Sequence, residues 1–187
     1  MGNGPGNFGP LAGLIGTWEG DEGIDVAFQH SKGEIGETPY RERATFSPFG
    51  PVDNGTQCLY GLDYRMSAWR QGEDDPFHTE IGYWLYDADD GQIMRSFMVP
   101  RGSTILAGGP ATPDATTFTL QAQVGSETYG ILSNNYLASA ARTTLYQVTV
   151  TLEADTFSYR QVTTIEHGRL TEPLEHIDSN TLHRVAD

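Results

Sequence analysis

The sequence predicts an all-β fold: a ten-stranded antiparallel up-and-down barrel with a short helical plug at its N-terminal end. Glycine and proline, 22 and 10 residues, punctuate the chain at roughly hairpin spacing. The runs between them are rich in Tyr, Phe, Thr, Val and Ile and show no long stretch of helical period. A tryptophan framed by glycines opens the pattern in Gly16-Thr17-Trp18-Glu19-Gly20. That suits the closed end of a small barrel, where one indole fills the interior while the backbone bends around it.

Residues 1–8 are Gly-rich and read as a disordered tail, and residues 9–187 as a single barrel domain. Residues 9–15 form the expected plug, ended by Gly16, where the first strand starts. Residues 33–38 read as a loop. Residues 40–46 alternate as a strand, and Ser47-Pro48-Phe49-Gly50-Pro51 reads as its end, because proline has no amide hydrogen for the ladder. Strands follow over 57–70, 77–86, 92–99, 103–109 and 117–124, with turn signals at Asp53-Asn54-Gly55 and Asp89-Asp90-Gly91. Residues 129–141 fit a helical turn or a lid-like loop. Tyr146, Val148, Val150 and Leu152 then alternate with polar residues, Ala154-Asp155 turns the chain into a strand over 157–165, and residues 170–185 supply the last one.

Twenty-five acidic against 11 basic residues give a net charge of −14. Scattered cations in so acidic a chain argue against a nucleic-acid partner and against anionic lipid surfaces. No run approaches the roughly 20 apolar residues of a membrane span, and no basic-plus-apolar leader opens the chain. Cys58 stands alone, which excludes an intrachain disulfide and fits a reducing, cytoplasmic setting. A small molecule is the default partner; a homodimer is compatible with the composition.

The opening Gly16-Thr17-Trp18-Glu19-Gly20, the strand around His78-Thr79-Glu80-Ile81-Gly82-Tyr83-Trp84 and the closing Pro173-Leu174 through Leu182-His183-Arg184-Val185 resemble the nitrobindin-like family. The resemblance implies a calycin or lipocalin-like barrel similar to fatty-acid-binding proteins. It also implies ferric heme in the barrel and an association with nitric oxide and peroxynitrite isomerisation. Two departures stand out. Gly20-Asp21-Glu22-Gly23 carries one residue more between its glycines than the family signature. The family's iron-ligating histidine lies four positions after a proline, and here that position is Ile177. A further family histidine aligns with Pro48. The pattern matches the ferric nitrobindin-like subgroup that keeps the barrel without the ligand.

His176 lies one place before Ile177. Successive strand side chains point to opposite faces, so if Ile177 faces inward His176 faces away, as a surface or rim histidine hydrogen-bonded to Asp178 or a backbone carbonyl, unless a bulge shifts the register. His183 shares the parity of Ile177 but lies about 20 Å along a strand. His78 and Glu80 share a face as a hydrogen-bonded pair rather than a metal site. Arg43, Arg95, Arg142 and Arg160 lie in or beside strands, and an inward one would match a ligand carboxylate bidentately. The expected ligand-binding set is Trp18, Tyr83, Phe97, Arg160 and Ile177, with His176 the candidate heme ligand, no metal site and no catalytic set. No hydrolase, zincin or phosphate-loop signature occurs.

Three functions are therefore expected of this chain: a binding protein for a small, mainly hydrophobic, fatty-acid or lipid-like molecule without stable heme; a ferric-heme peroxynitrite isomerase using His176; or an interaction module with a filled barrel.

Overall fold

A computed structural model describes residues 7–186. Eleven strands close into one barrel: β1 (Gly16–Gln29), β2 (Glu34–Asp53), β3 (Cys58–Arg70), β4 (His78–Asp87), β5 (Gln92–Val99), β6 (Ser103–Pro110), β7 (Thr117–Val124), β8 (Gly130–Ser133), β9 (Ala141–Leu152), β10 (Thr156–His167) and β11 (Leu174–Arg184). A 3₁₀ turn over Gly9–Leu14 forms the plug, and a short helix α1 (Asn135–Ala140) precedes β9. Around the barrel the order is β1-β11-β10-β9-β7-β8-β6-β5-β4-β3-β2, closing on β1. Among the described residues no helix is long and apolar enough to cross a membrane.

The expected count of ten and the purely antiparallel pairing are both corrected by β8. β6 and β7 pair at only one position, Gly108 with Gln121. β8 lies in the gap, antiparallel to β6 through Thr104–Leu132 and parallel to β7 through Gln123–Gly130 and Val124–Ile131. Backbone groups freed where β6 and β7 splay apart are thus satisfied from within residues 129–141. α1 follows, with the Asn134 side chain accepting from the Leu137 amide at 2.9 Å.

Three further expectations shift. The loop placed over 33–38 is mostly strand, because β1 runs to Gln29 and pairs with Glu34. β2 does not stop at Pro48: it pairs through Pro48–Leu62 and, after a register shift, continues to Asp53. Prolines are tolerated there because β1 begins at Gly16 opposite Phe46, so beyond Phe46 this strand has β3 alone as a neighbour. The tail placed over 1–8 lies largely outside the described residues; within it, the Phe8 ring meets Tyr60 edge-on at 5.3 Å.

The closed end is as the Gly-framed tryptophan predicts. Trp18 is fully buried with Leu11, Leu14, Leu62, Leu120 and Leu182. Its indole N–H donates to the Leu14 carbonyl at 2.7 Å, and its ring meets Phe157 edge-on at 5.1 Å. Gly16 joins plug to strand at φ +124, where a side chain would strain the backbone.

Candidate functional site

The other half of the barrel is hollow. A cavity of about 350 Å³ is lined by Phe46, Met66, Ala68, Phe97 and Val148 on apolar surfaces and by Glu42, Glu80, Arg95, His176 and Asp178 among its polar ones. The filled-barrel expectation is thereby corrected.

Its residues follow from strand parity. On β11 the alternation of Leu174, His176, Asp178, Asn180 and Leu182 is anchored by two leucines that are 5% and 0% exposed. The pleat that buries those leucines turns His176 and Asp178 to the cavity and Ile177 to the other face. This overturns the expected orientation of His176, and no bulge in β11 is needed. The family alignment set the parity on Ile177, whereas Leu174 and Leu182 carried the right phase.

The extra residue in Gly20-Asp21-Glu22-Gly23 has a structural consequence. The register of β1 against β2 shifts between Gly20 and Gly23, and Trp18 and Asp25, of opposite parity, both face inward. A bulge converts one phase into the other. Asp25 consequently lies directly opposite Asp178 across the β1–β11 pair. His176 Nε2 sits 2.8 Å from Asp25 Oδ1 and 3.5 Å from Asp178 Oδ2. Burial lowers the proton affinity of His176, but Asp178 and Asp25 outweigh it and raise its pKa to about 10.

Arg95 forms the second focus. One guanidinium nitrogen is bound by Glu80 and by Tyr64 at 3.0 Å, and the other by Tyr146 and by Gln161 at 3.3 Å. The faces of Phe97, Trp84, Tyr64 and Tyr146 surround the cation at 4.3–5.8 Å. Burial alone would push Glu80 up, yet Arg95 first, then His78 and Tyr64, hold it down at about 2. His78 Nε2 is 3.1 Å from Glu80 Oε1, the same-face pair expected. Arg95 Nε and the Trp84 indole N–H have no acceptor in the structure.

Glu42 is a third buried carboxyl, receiving hydrogen bonds from Tyr159 at 2.8 Å and Asn180 at 3.1 Å. Burial outweighs those bonds and raises its pKa to about 7. Tyr40, Tyr64, Tyr146 and Tyr159 are all pushed up, chiefly by burial, and remain neutral donors.

Of the expected ligand-binding set, the cavity takes Phe97 and, from the heme alternative, His176. Trp18 is sealed in the closed end. Tyr83 is 49% exposed and Arg160 exposed, both on the outer face, where their parity puts them; Ile177 is half-buried away from the cavity. Arg95 is the inward arginine. Glu42, Tyr146 and Asp25 were missed, and Glu80 was read only as the partner of His78, although Glu80 and Arg95 share the inward phase of Trp84 and Phe97.

An axial heme ligand must offer a neutral nitrogen lone pair with open space around the iron. His176 Nε2 instead lies 2.8 Å from Asp25 Oδ1, so a carboxylate crowds the side of the ring on which this nitrogen would have to meet a metal. His78 Nε2 is likewise engaged by Glu80. This arrangement does not fit axial ligation of heme.

The sequence profile of the "THAP4-like, heme-binding beta-barrel domain" matches residues 7–184. Over 97 residues the chain is 32% identical to a peroxynitrite isomerase of Clavibacter michiganensis subsp. michiganensis and 33% to one of Clavibacter sepedonicus. The match covers 48% of this chain and 43% of either relative, less than half their length. The crystal structure of Rv2717c from M. tuberculosis superposes with a TM-score of 0.71 at 18% identity, covering 97% of this chain and 99% of that one; it shows a shared fold.

Proposed function

The chain belongs to the THAP4-like, heme-binding β-barrel family, and from that premise we propose that it is a binding protein enclosing a compact small molecule without a histidine–iron bond. The observation that carries this reading is the hollow half of the barrel. About 350 Å³ of space lies at the lower end of the usual range for ligand pockets, about 300–1,000 Å³, between an apolar wall and a buried polar layer. A plain fatty acid suits the apolar wall but not the rest. At the polar layer its carboxylate would meet Asp25, Asp178 and Glu80, with Arg95 already matched to Glu80; the other two lining arginines, Arg70 and Arg101, are exposed. A neutral ligand with an apolar body and a hydrogen-bond acceptor complements the unpaired donors of Arg95 and Trp84, since the hydroxyls of Tyr64, Tyr146 and Tyr159 already donate to Glu80, Gln161 and Glu42.

Titration with an apolar fluorescent probe tests this. One saturable equivalent is expected in the native protein, and its loss in the cavity-filling Ala68→Trp with the melting transition retained. Absence of saturable binding, or binding indifferent to Ala68→Trp, sinks the reading.

A second reading, a heme-dependent peroxynitrite isomerase, is favoured by the inward imidazole of His176 and by the names of the curated relatives. It requires Nε2 to be released from its carboxylates. Titration with hemin separates the two: the binding-protein reading expects no sharp Soret band at one equivalent in the native protein, and a band appearing in Asp25→Ala/Asp178→Ala. A native band abolished by His176→Ala would establish the second reading instead.

A further inference from the structure

We propose that Asp25, His176 and Asp178 form a mononuclear site for a divalent first-row transition-metal ion on the wall of the cavity. The three side chains come from two neighbouring strands, and one ligand atom from each lies within 4.8 Å of the other two. Metal–ligand bonds of about 2.0–2.2 Å in a tetrahedral set place neighbouring ligand atoms about 3.3–3.5 Å apart. His176 Nε2 is 2.8 Å and 3.5 Å from the two carboxylate oxygens. Opening the Asp25 contact by about 0.5–0.7 Å and drawing the two carboxylate oxygens into the same range converts this hydrogen-bonded cluster into a three-ligand face.

Charge points the same way. Asp25 and Asp178 stand directly opposite each other on paired strands, an arrangement that repels unless a cation lies between them. The strongest buried cation nearby, Arg95, is committed to Glu80. A dication held among the three side chains lies against both carboxylates at once and balances both.

The family's iron site and this one differ in what the carboxylates do. Around a heme they would be left unpaired beside the macrocycle; around a bare dication they are ligands. Imidazole with two carboxylates suits Zn²⁺, Mn²⁺, Fe²⁺ or Co²⁺. Asp178 is held in place by Gln161, whose Nε2 donates to Oδ2 at 3.2 Å and whose Oε1 accepts from Tyr146 at 2.9 Å. His176 and Asp178 line the cavity, so the remaining coordination positions open on it, available to water or an enclosed molecule.

The test uses Co²⁺ as the probe on the full chain stripped with chelator. Expected are one equivalent with visible d–d absorption and displacement by Zn²⁺. His176→Ala and the isosteric Asp25→Asn/Asp178→Asn should weaken binding at least about a hundredfold, and Gln161→Leu about tenfold. Should a variant unfold, the native protein alone decides: one equivalent of Zn²⁺ should shift the His176 ring resonances in the NMR spectrum. Weak, non-saturating uptake by surface carboxylates, or binding unchanged in these variants, or His176 ring resonances unmoved by Zn²⁺, overturns the site. No organic ligand enters the measurement, so its outcome is independent of the small-molecule reading.

Discussion

At the closed end of the barrel Trp18, Leu11, Leu62 and Leu182 are buried by shape alone, while around the cavity Glu42, Glu80 and Arg95 are buried nearly as deeply, at 3–5% exposure, each against polar partners. The apolar end needs complementary volume, and its one polar atom, the indole N–H, is answered locally by Leu14. The cavity end needs charge balance, and each partner comes from a different strand. The difference teaches that the first kind of burial tolerates no missing volume and the second no missing partner.

The largest effects should break that contrast directly. Trp18→Ala removes the central ring of the closed end and should cost about 3–5 kcal/mol in denaturant unfolding. Arg95→Met should cost a similar amount, about 3–5 kcal/mol, because Glu80 is then buried without its countercharge. The two differ in rescue. Adding Glu80→Gln to Arg95→Met should recover most of the loss, whereas no charge substitution restores Trp18→Ala. Failure of that recovery would mean that Arg95 acts mainly through volume.

A smaller effect sharpens the comparison within the cavity through pH. Glu42, with its pKa raised to about 7, is favoured in its neutral form by folding. Its contribution is fully present below the ordinary carboxyl value and is lost as pH rises through about 7, by up to about 3 kcal/mol. Glu80, held down at about 2, acts with the opposite sign: its stabilisation is present above the ordinary value and is lost as pH falls towards 2. Unfolding free energies measured from pH 4 to 8 should show a falling segment that Glu42→Gln flattens. A profile unchanged by that substitution would contradict the burial-driven shift.

The smallest effect lies outside the barrel. Arg43 and Glu19 pair on the outer face with both side chains about half exposed, and Arg43→Ala should change stability by less than about 1 kcal/mol. A larger loss would mean that the outer face carries energy here assigned to the interior.

Most strands were legible because period-two alternation and turn residues report local geometry. β5 and β7 have the boundaries expected from their runs, 92–99 and 117–124. β8 was not legible, since four residues filling a gap between splayed strands answer to their neighbours rather than to their own pattern. Arg95 and Arg160 look equivalent in isolation, each beside alternating residues; which one is inside depends on how β5 and β10 are phased against the barrel. His176 was misplaced because its phase was borrowed from Ile177 rather than taken from Leu174 and Leu182.

By itself the sequence determined an all-β barrel with the plug and tryptophan at its closed end, because these follow from local backbone preferences and from burying apolar side chains at one period. Only the tertiary structure decided that Asp25, His176 and Asp178 meet, and that Glu80 and Arg95 neutralise each other beside a hollow. Those encounters join strands distant in sequence, and their geometry exists only once the barrel has closed.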